Sequence, residues 1–195
     1  MQDIVFDFIE NEQVDLVVMA SQGINSIEDR LFGSNALKIL RSSVCPVLIV
    51  PHKYNDVKIE KILYSTEISN KDKAIEHYLV WFAEMFEAHL TLLHIDDGKH
   101  IINAKDLVQF QRKVLHFNYH NISAEIEPSV SISDGIAEYI DNNGADLLCI
   151  TSHTNTFIDR FFKTSTVKNT LAKISIPVLG FNIESLKRIE KNRKK

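Results

Sequence analysis

The sequence predicts an α/β protein built on an open, parallel, five-stranded sheet with helices on both faces. Short apolar runs rich in β-branched residues alternate along the chain with longer segments whose apolar residues recur at helical spacing. From residue 57 onward these segments follow the order βαβαβαβαβ, and strands joined by helices form parallel sheets that are covered on both faces. Residues 1–52 show only αβαβ, the order of the second half of that unit. The predicted architecture is therefore one complete copy and a partial second copy.

The partial copy is predicted to begin with a helix over residues 3–12. Asp3 is its predicted N-cap, and its apolar residues recur at helical spacing. An apolar strand over 14–19 follows, then a polar loop, a helix that starts near Gly33, and a strand over 46–50.

The complete copy starts with a strand over residues 59–66. Ser133 is the predicted N-cap of its third helix, which ends at Gly144. The alternating segment 122–126 is typical of an edge strand, and Pro128 stops it. The other predicted elements are helices over 71–88, 103–117, 133–141 and 164–173, and strands over 90–95, 146–150 and 177–181.

The composition is that of an ordinary globular protein, with 45% hydrophobic and 25% charged residues and a net charge of −4. No apolar run reaches the roughly 20 residues that span a bilayer. Cys45 and Cys149 lie in or beside predicted buried strands and form no paired motif, which favours reduced thiols and a cytoplasmic location. The basic segment 187–195 is typical of a solvated terminus, so we expect no specific nucleic-acid partner and no membrane partner.

Two parts of the chain repeat each other. The segment Asp15–Gly23 matches Asp146–Thr154, and Pro46–Leu48 matches Pro177–Leu179. Self-similarity of this length predicts a tandem of one fold whose first copy lacks its front half. The predicted domains are residues 1–53 for the half copy, 54–183 for the complete copy and 184–195 for the basic tail.

The first copy contains a pattern suited to phosphate. A strand is followed by small residues and then by the start of a helix, where free N–H groups and the helix dipole favour an anion. The candidate phosphate-binding residues are Ala20, Ser21, Gln22, Gly23, Gly33, Ser34 and Asn35.

These residues resemble the universal stress protein family, whose nucleotide motif is Gly-x2-Gly-x9-Gly-Ser/Thr. Ala20 takes the first glycine position, Gly23 the second, and Gly33 and Ser34 follow at the expected spacing. Segment 45–50 fits the closing strand of the family, and the complete copy has the family's opening motif at residues 61–69.

The resemblance implies an adenine nucleotide alpha hydrolase-like fold with strand order 3-2-1-4-5. It also implies a stress-response regulator that acts by binding ATP or AMP rather than by turnover. By the habit of the family, the closing strands 46–50 and 177–182 would pair antiparallel across a pseudo-twofold axis.

The second copy has lost the phosphate pattern. Glu67 stands where the family has an adenine-binding Asp. Side chains at positions that need close backbone approach remove room for a phosphate, so we expect a structural or regulatory copy without nucleotide. The degenerate positions are Thr151 and Thr154 for the glycines, and Thr164 and Ser165 (or Lys163 and Thr164) for Gly-Ser.

Two functional alternatives remain open at this point. Without its front half the first copy carries half a nucleotide site, so we expect no tightly bound nucleotide on this chain. A dimerisation or scaffold module is then the alternative, and the apolar edge at 14–19 predicts self-association, as a homodimer or larger. The eight histidines form no metal-ligand set, and no catalytic base is identifiable, so we expect no enzyme, with weak ATPase activity left open.

Overall fold

In the part of the chain that it describes, the computed structural model contains one seven-stranded sheet. It describes residues 8–9, 11–12, 14–20, 39–40, 43–51, 54, 58–68, 73–152 and 175–182. The strands are β1 (Val17–Ala20), β2 (Val47–Val50), β3 (Lys61–Ser65), β4 (His89–Asp96), β5 (Ile122–Pro128), β6 (Leu147–Ser152) and β7 (Val178–Asn182). The helices whose bounds are described are α1 (Lys73–Phe86), α2 (Ala104–Arg112) with a 3-10 turn over Lys113–His116, and α3 (Ile132–Asn143).

The strands lie in the order β1-β2-β7-β6-β3-β4-β5. Every neighbouring pair is parallel except β2 and β7, which are antiparallel. The predicted α/β class is confirmed, and so is the antiparallel pairing of the closing strands. The prediction of a five-stranded sheet is wrong, because the β2–β7 ladder joins β1 and β2 to the other five strands. Those five lie in the order β5-β4-β3-β6-β7.

The β1–β2 and β6–β7 ladders have the same register. Val17 pairs with Val47 and Leu148 pairs with Val178, in positions that correspond in the sequence repeat. The Val17 amide donates to the Pro46 carbonyl (2.9 Å), and the Leu148 amide donates to the Pro177 carbonyl (3.0 Å). Leu48 pairs with Leu179 at the centre of the β2–β7 ladder, and these two residues also correspond. The register is therefore symmetric about the Leu48–Leu179 pair.

Helices cover both faces of the sheet, as predicted. Ile75 and Leu79 of α1 and Phe110 of α2 pack on one face, and Ile136 and Tyr139 of α3 pack on the other. The buried residues of β3 alternate between the two cores, since Ile62 and Tyr64 join the first and Leu63 joins the second. This alternation follows from the two-residue period of a strand.

The helix termini follow capping rules. A capping box joins Asn103 and Asp106 at the start of α2. The predicted cap Ser133 is wrong, because Ser133 is buried within α3 and the N-cap is Ser131, whose side chain accepts from the Asp134 amide. Gly144 ends α3 as predicted, with φ 74°, a conformation that favours glycine.

Candidate functional site

The direction in which strands are added to the sheet reverses between β3 and β6. From β3 the chain adds β4 and β5 on one side, whereas β6 and β7 lie on the other. In doubly wound sheets, ligands bind outside the carboxyl ends of the strands at such a switch point. The candidate site is therefore the crevice beyond Ser65 and Ser152, where β3 and β6 end.

The segment after β3 is held by contacts from other elements. The Thr66 amide donates to the Leu93 carbonyl at 2.9 Å. The His94 Nδ1 donates to the Thr66 carbonyl at 3.0 Å, which requires the proton on Nδ1. The Lys113 ammonium donates to the Glu67 carbonyl at 2.9 Å and approaches the Thr66 hydroxyl at 3.5 Å. These contacts fix the backbone at the end of β3.

Phe110 supports both of these anchoring side chains. The Lys113 Nζ lies 5.6 Å from the centroid of its ring, and the His94 ring packs edge-on at 5.9 Å. The space between β3, α1 and Lys113 has a volume of about 10 Å³. That is room for about one water molecule between these side chains.

Three of the predicted site residues lie in the described part of the chain, and the sheet does not bring them all together. Glu67 is exposed just beyond β3. Thr151 is only 4% exposed and pairs with Phe181 within β6 and β7, so its side chain occupies the packed sheet. Ala20 is the last residue of β1, and the strands β2 and β7 lie between β1 and β6. The remaining predicted site residues, Ser21, Gln22, Gly23, Gly33, Ser34, Asn35, Thr154, Thr164 and Ser165, lie outside the described residues.

His94 and Lys113 were not predicted as part of this site. The position of His94 at the end of an apolar strand beside β3 was a usable signal, because neighbouring parallel strands end at the same edge. Lys113 carries no such signal, since its contact with Glu67 joins segments far apart in the sequence.

Both cysteines are free and buried. Burial raises the pKa of the Cys149 thiol far above its ordinary value. Burial also raises the pKa of Cys45, and the hydrogen bond from Ser43 partly offsets it. Neither thiol has the low pKa of a nucleophile or a redox centre.

The described residues contain no group of three or more His, Cys, Asp or Glu side chains that could hold a metal ion. Within the same residues, none of the helices has the length and apolar character needed to cross a bilayer.

The sheet and its switch point place the chain among the doubly wound α/β proteins. Within that class the match is specific, because the model of the Universal stress protein family matches residues 2–51 and 58–180. The chain belongs to this family.

Solved structures share the fold at low sequence identity. A protein of unknown function from Pseudomonas aeruginosa is similar with a TM-score of 0.71 and 16% identity, over 100% of this chain and 73% of that one. A universal stress protein from Archaeoglobus fulgidus is similar with a TM-score of 0.68 and 18% identity, over 93% of this chain and 64% of that one. The search of curated proteins finds no match.

Proposed function

We propose that this chain is a tandem universal stress protein that regulates a cytoplasmic stress response by binding an adenine nucleotide, ATP or AMP, without turnover. The observation that carries the proposal is the equal register of the β1–β2 and β6–β7 ladders, combined with glycines kept in only one of the two repeats. Two copies of one fold with one ligand loop suit a sensor, because one copy can bind while the other supports it.

The tandem arrangement is supported by symmetry at the centre of the sheet. Corresponding residues pair within each copy, and Leu48 pairs with its own counterpart Leu179 between the copies. Such self-complementary pairing is what a twofold contact between equivalent strands produces. We infer copies at residues 1–53 and 54–183 that share one sheet.

The second copy is proposed to carry no nucleotide. Lys113 and His94 bind the backbone carbonyls after β3, and the space beside them is the size of about one water molecule. The buried Thr151 side chain stands where the family motif has a glycine. These features suit a structural copy that supports the first one.

The first copy is proposed to bind the phosphates. Gly23, Gly33 and Ser34 retain the motif, and β1, which precedes them, ends at Ala20. Strands equivalent to β3 and β4 would supply the wall for the base. No catalytic base accompanies the motif, so we propose binding rather than hydrolysis.

The test is nucleotide binding with matched variants in the two copies. Equilibrium dialysis against millimolar ATP, followed by mass spectrometry of denatured protein, is made on this chain and on a chain that carries front-half strands before residue 1. Gly33→Asp should abolish binding, because a carboxylate would repel the phosphates, whereas Thr164→Asp in the second copy should leave binding unchanged. Equal loss in both variants, or binding that survives Gly33→Asp, would contradict the proposal.

A scaffold without ligand is the second candidate, and the edge of the sheet favours it. Val18 of β1 is 60% exposed, and β2 is the only strand that pairs with β1 among the described residues. An open apolar edge favours pairing with another chain, so we propose a homodimer or larger assembly. If millimolar ATP gives no binding to either chain, the scaffold function remains.

A further inference from the structure

A polar cleft lies at the amino ends of β3 and β4, whereas the switch-point crevice lies at the carboxyl ends of β3 and β6. It has a volume of about 210 Å³ and lies beside the last turn of α3. Lys61, His89, Thr91, Glu125, Tyr139 and Asn143 line it. Neither the repeat nor the nucleotide motif accounts for this cleft.

The strand register explains why polar groups gather there. Lys61 of β3 pairs with His89 of β4, and Thr91 pairs with Ser123 of β5. Residues two apart on a strand share a face, so Ser123 and Glu125 point to the same side. The hydroxyl group of Tyr139, on α3, donates a hydrogen bond to Glu125 on this face. A polar surface is thus built into one face beside the apolar core.

The Glu125 carboxylate lies in this cleft and accepts hydrogen bonds from two hydroxyl groups. It accepts from the Tyr139 hydroxyl at 2.8 Å and from the Ser123 hydroxyl at 3.3 Å. No cation among the described residues lies within ion-pair distance of it. Burial, and after it the Glu125 carboxylate, raises the pKa of Tyr139 to about 12. Among the described residues, the partners of this half-buried carboxylate are the hydroxyl groups of Tyr139 and Ser123.

The basic groups of the cleft are engaged by other acceptors. The Lys61 ammonium donates to the Asn143 carbonyl at 2.8 Å, at the negative end of the α3 dipole. The two ring nitrogens of His89 lie 2.8 Å from the Asn121 amide oxygen and 2.9 Å from the Ser123 hydroxyl. The Lys61 ammonium already meets the end of α3, so the Glu125 carboxylate is the group of the cleft that favours an added positive charge.

We propose that this cleft binds a small molecule carrying a protonated primary amine, with the ammonium group on Glu125. An ammonium group supplies three N–H donors, which suit the free lone pairs of the carboxylate and the Thr91 hydroxyl oxygen. A small anion would face the Glu125 carboxylate directly. The described residues offer no set of three metal-binding side chains, so an organic cation fits better than a transition metal.

The test is a titration of the full ¹⁵N-labelled chain with ethylammonium chloride and, separately, with sodium acetate, at pH 7 and constant ionic strength. Ethylammonium should give saturable shifts at the amides of residues 123–125 and 139–144, and acetate should give none. Glu125→Gln keeps the acceptor for Tyr139 and removes the charge, so it should weaken binding by about tenfold or more. Glu138→Gln removes an equal charge from an exposed position of α3 outside the cleft and should leave binding unchanged.

Unchanged amide shifts in β6 would show that each variant is folded. Absence of saturation with ethylammonium, equal saturation with acetate, or unchanged binding in Glu125→Gln would each overturn the proposal. Because the residues that line the cleft and the residues of the nucleotide motif are different parts of the sequence, loss of one binding activity leaves the test of the other intact.

Discussion

The β1–β2 pair and the β6–β7 pair have matching sequences and the same register, but they lie in different surroundings. β6 lies between β3 and β7, whereas β1 pairs with β2 at one end of the described sheet. Val18 of β1 is 60% exposed, and its counterpart Cys149 of β6 is 0% exposed. Neighbouring strands, and not the local sequence, therefore set the burial of equivalent residues.

This difference predicts that equivalent substitutions have unequal effects on stability. Leu148→Ala should lower the free energy of unfolding by about 2–5 kcal/mol, because Leu148 is fully buried between two neighbouring strands. Val17→Ala, at the equivalent position, should lower it by about 1 kcal/mol, because Val17 is half-buried. Denaturant unfolding monitored by circular dichroism measures both values. Equal losses would contradict the comparison.

Gly180 marks a second difference between the repeated segments, because its counterpart in β2 is Ile49. A Cβ on Gly180 would overlap the Leu40 side chain, so Leu40 packs directly on the backbone of β7. Gly180→Ala should therefore destabilise the protein by about 1–3 kcal/mol through overpacking.

The double variant Gly180→Ala with Leu40→Ala tests whether this contact is the cause. Gly180→Ala should then lower the free energy of unfolding by less in the Leu40→Ala background than it does alone. A double-mutant cycle of unfolding free energies measures this difference. Strict additivity of the two losses would show that the contact between Leu40 and Gly180 does not exist in solution.

The open edge of β1 is a third difference between the β1–β2 pair and the β6–β7 pair. Val18→Lys should change the free energy of unfolding by less than about 0.5 kcal/mol, because the side chain is largely exposed. A charge on an edge strand opposes strand pairing, so the variant should reduce self-association measured by light scattering. Val130→Lys, 90% exposed away from β1, is the matched control. A chain that is monomeric without any substitution would remove the edge proposal.

The sequence predicted those parts of the fold that depend on local pattern and on the repeat. Alternating apolar runs and helical periodicity gave the α/β class, and family resemblance gave the pairing of 46–50 with 177–182. The seven-stranded sheet was not predicted as such, because the five-stranded sheet was assigned to the complete copy alone and the pairing that joins β1 and β2 to it rested on the resemblance only. Ser131 was missed as a cap because serines at positions 129, 131 and 133 lie around the start of α3, and sequence alone does not choose among them.

The candidate site was predicted less completely than the fold. The nucleotide motif identified residues by type and spacing, which are local properties. The anchoring of Glu67 by Lys113 and the polar network of Glu125 depend on contacts between distant elements. Such contacts follow from strand order and register, which became available only with the structure.

The two buried cysteines give the smallest expected effect, one of reactivity rather than stability. Cys149 lies in central β6, so a reagent reaches it only when the sheet opens. Cys45 lies just before β2, beside the edge pair, where local opening requires less free energy. Burial raises the pKa of both thiols, so the thiolate that reacts is scarce in the folded state at pH 8.

We therefore expect Cys45 to react with a disulfide reagent before Cys149, with both much slower than in denatured protein. The single-thiol variants Cys45→Ala and Cys149→Ala assign the two rates. A raised folded-state pKa also means that the unfolded thiol loses its proton first, so the contribution of Cys149 to stability should fall as pH rises above about 9. Faster modification of Cys149 than of Cys45 would show that β6 is more open than the edge pair, which contradicts the order of the strands in the sheet.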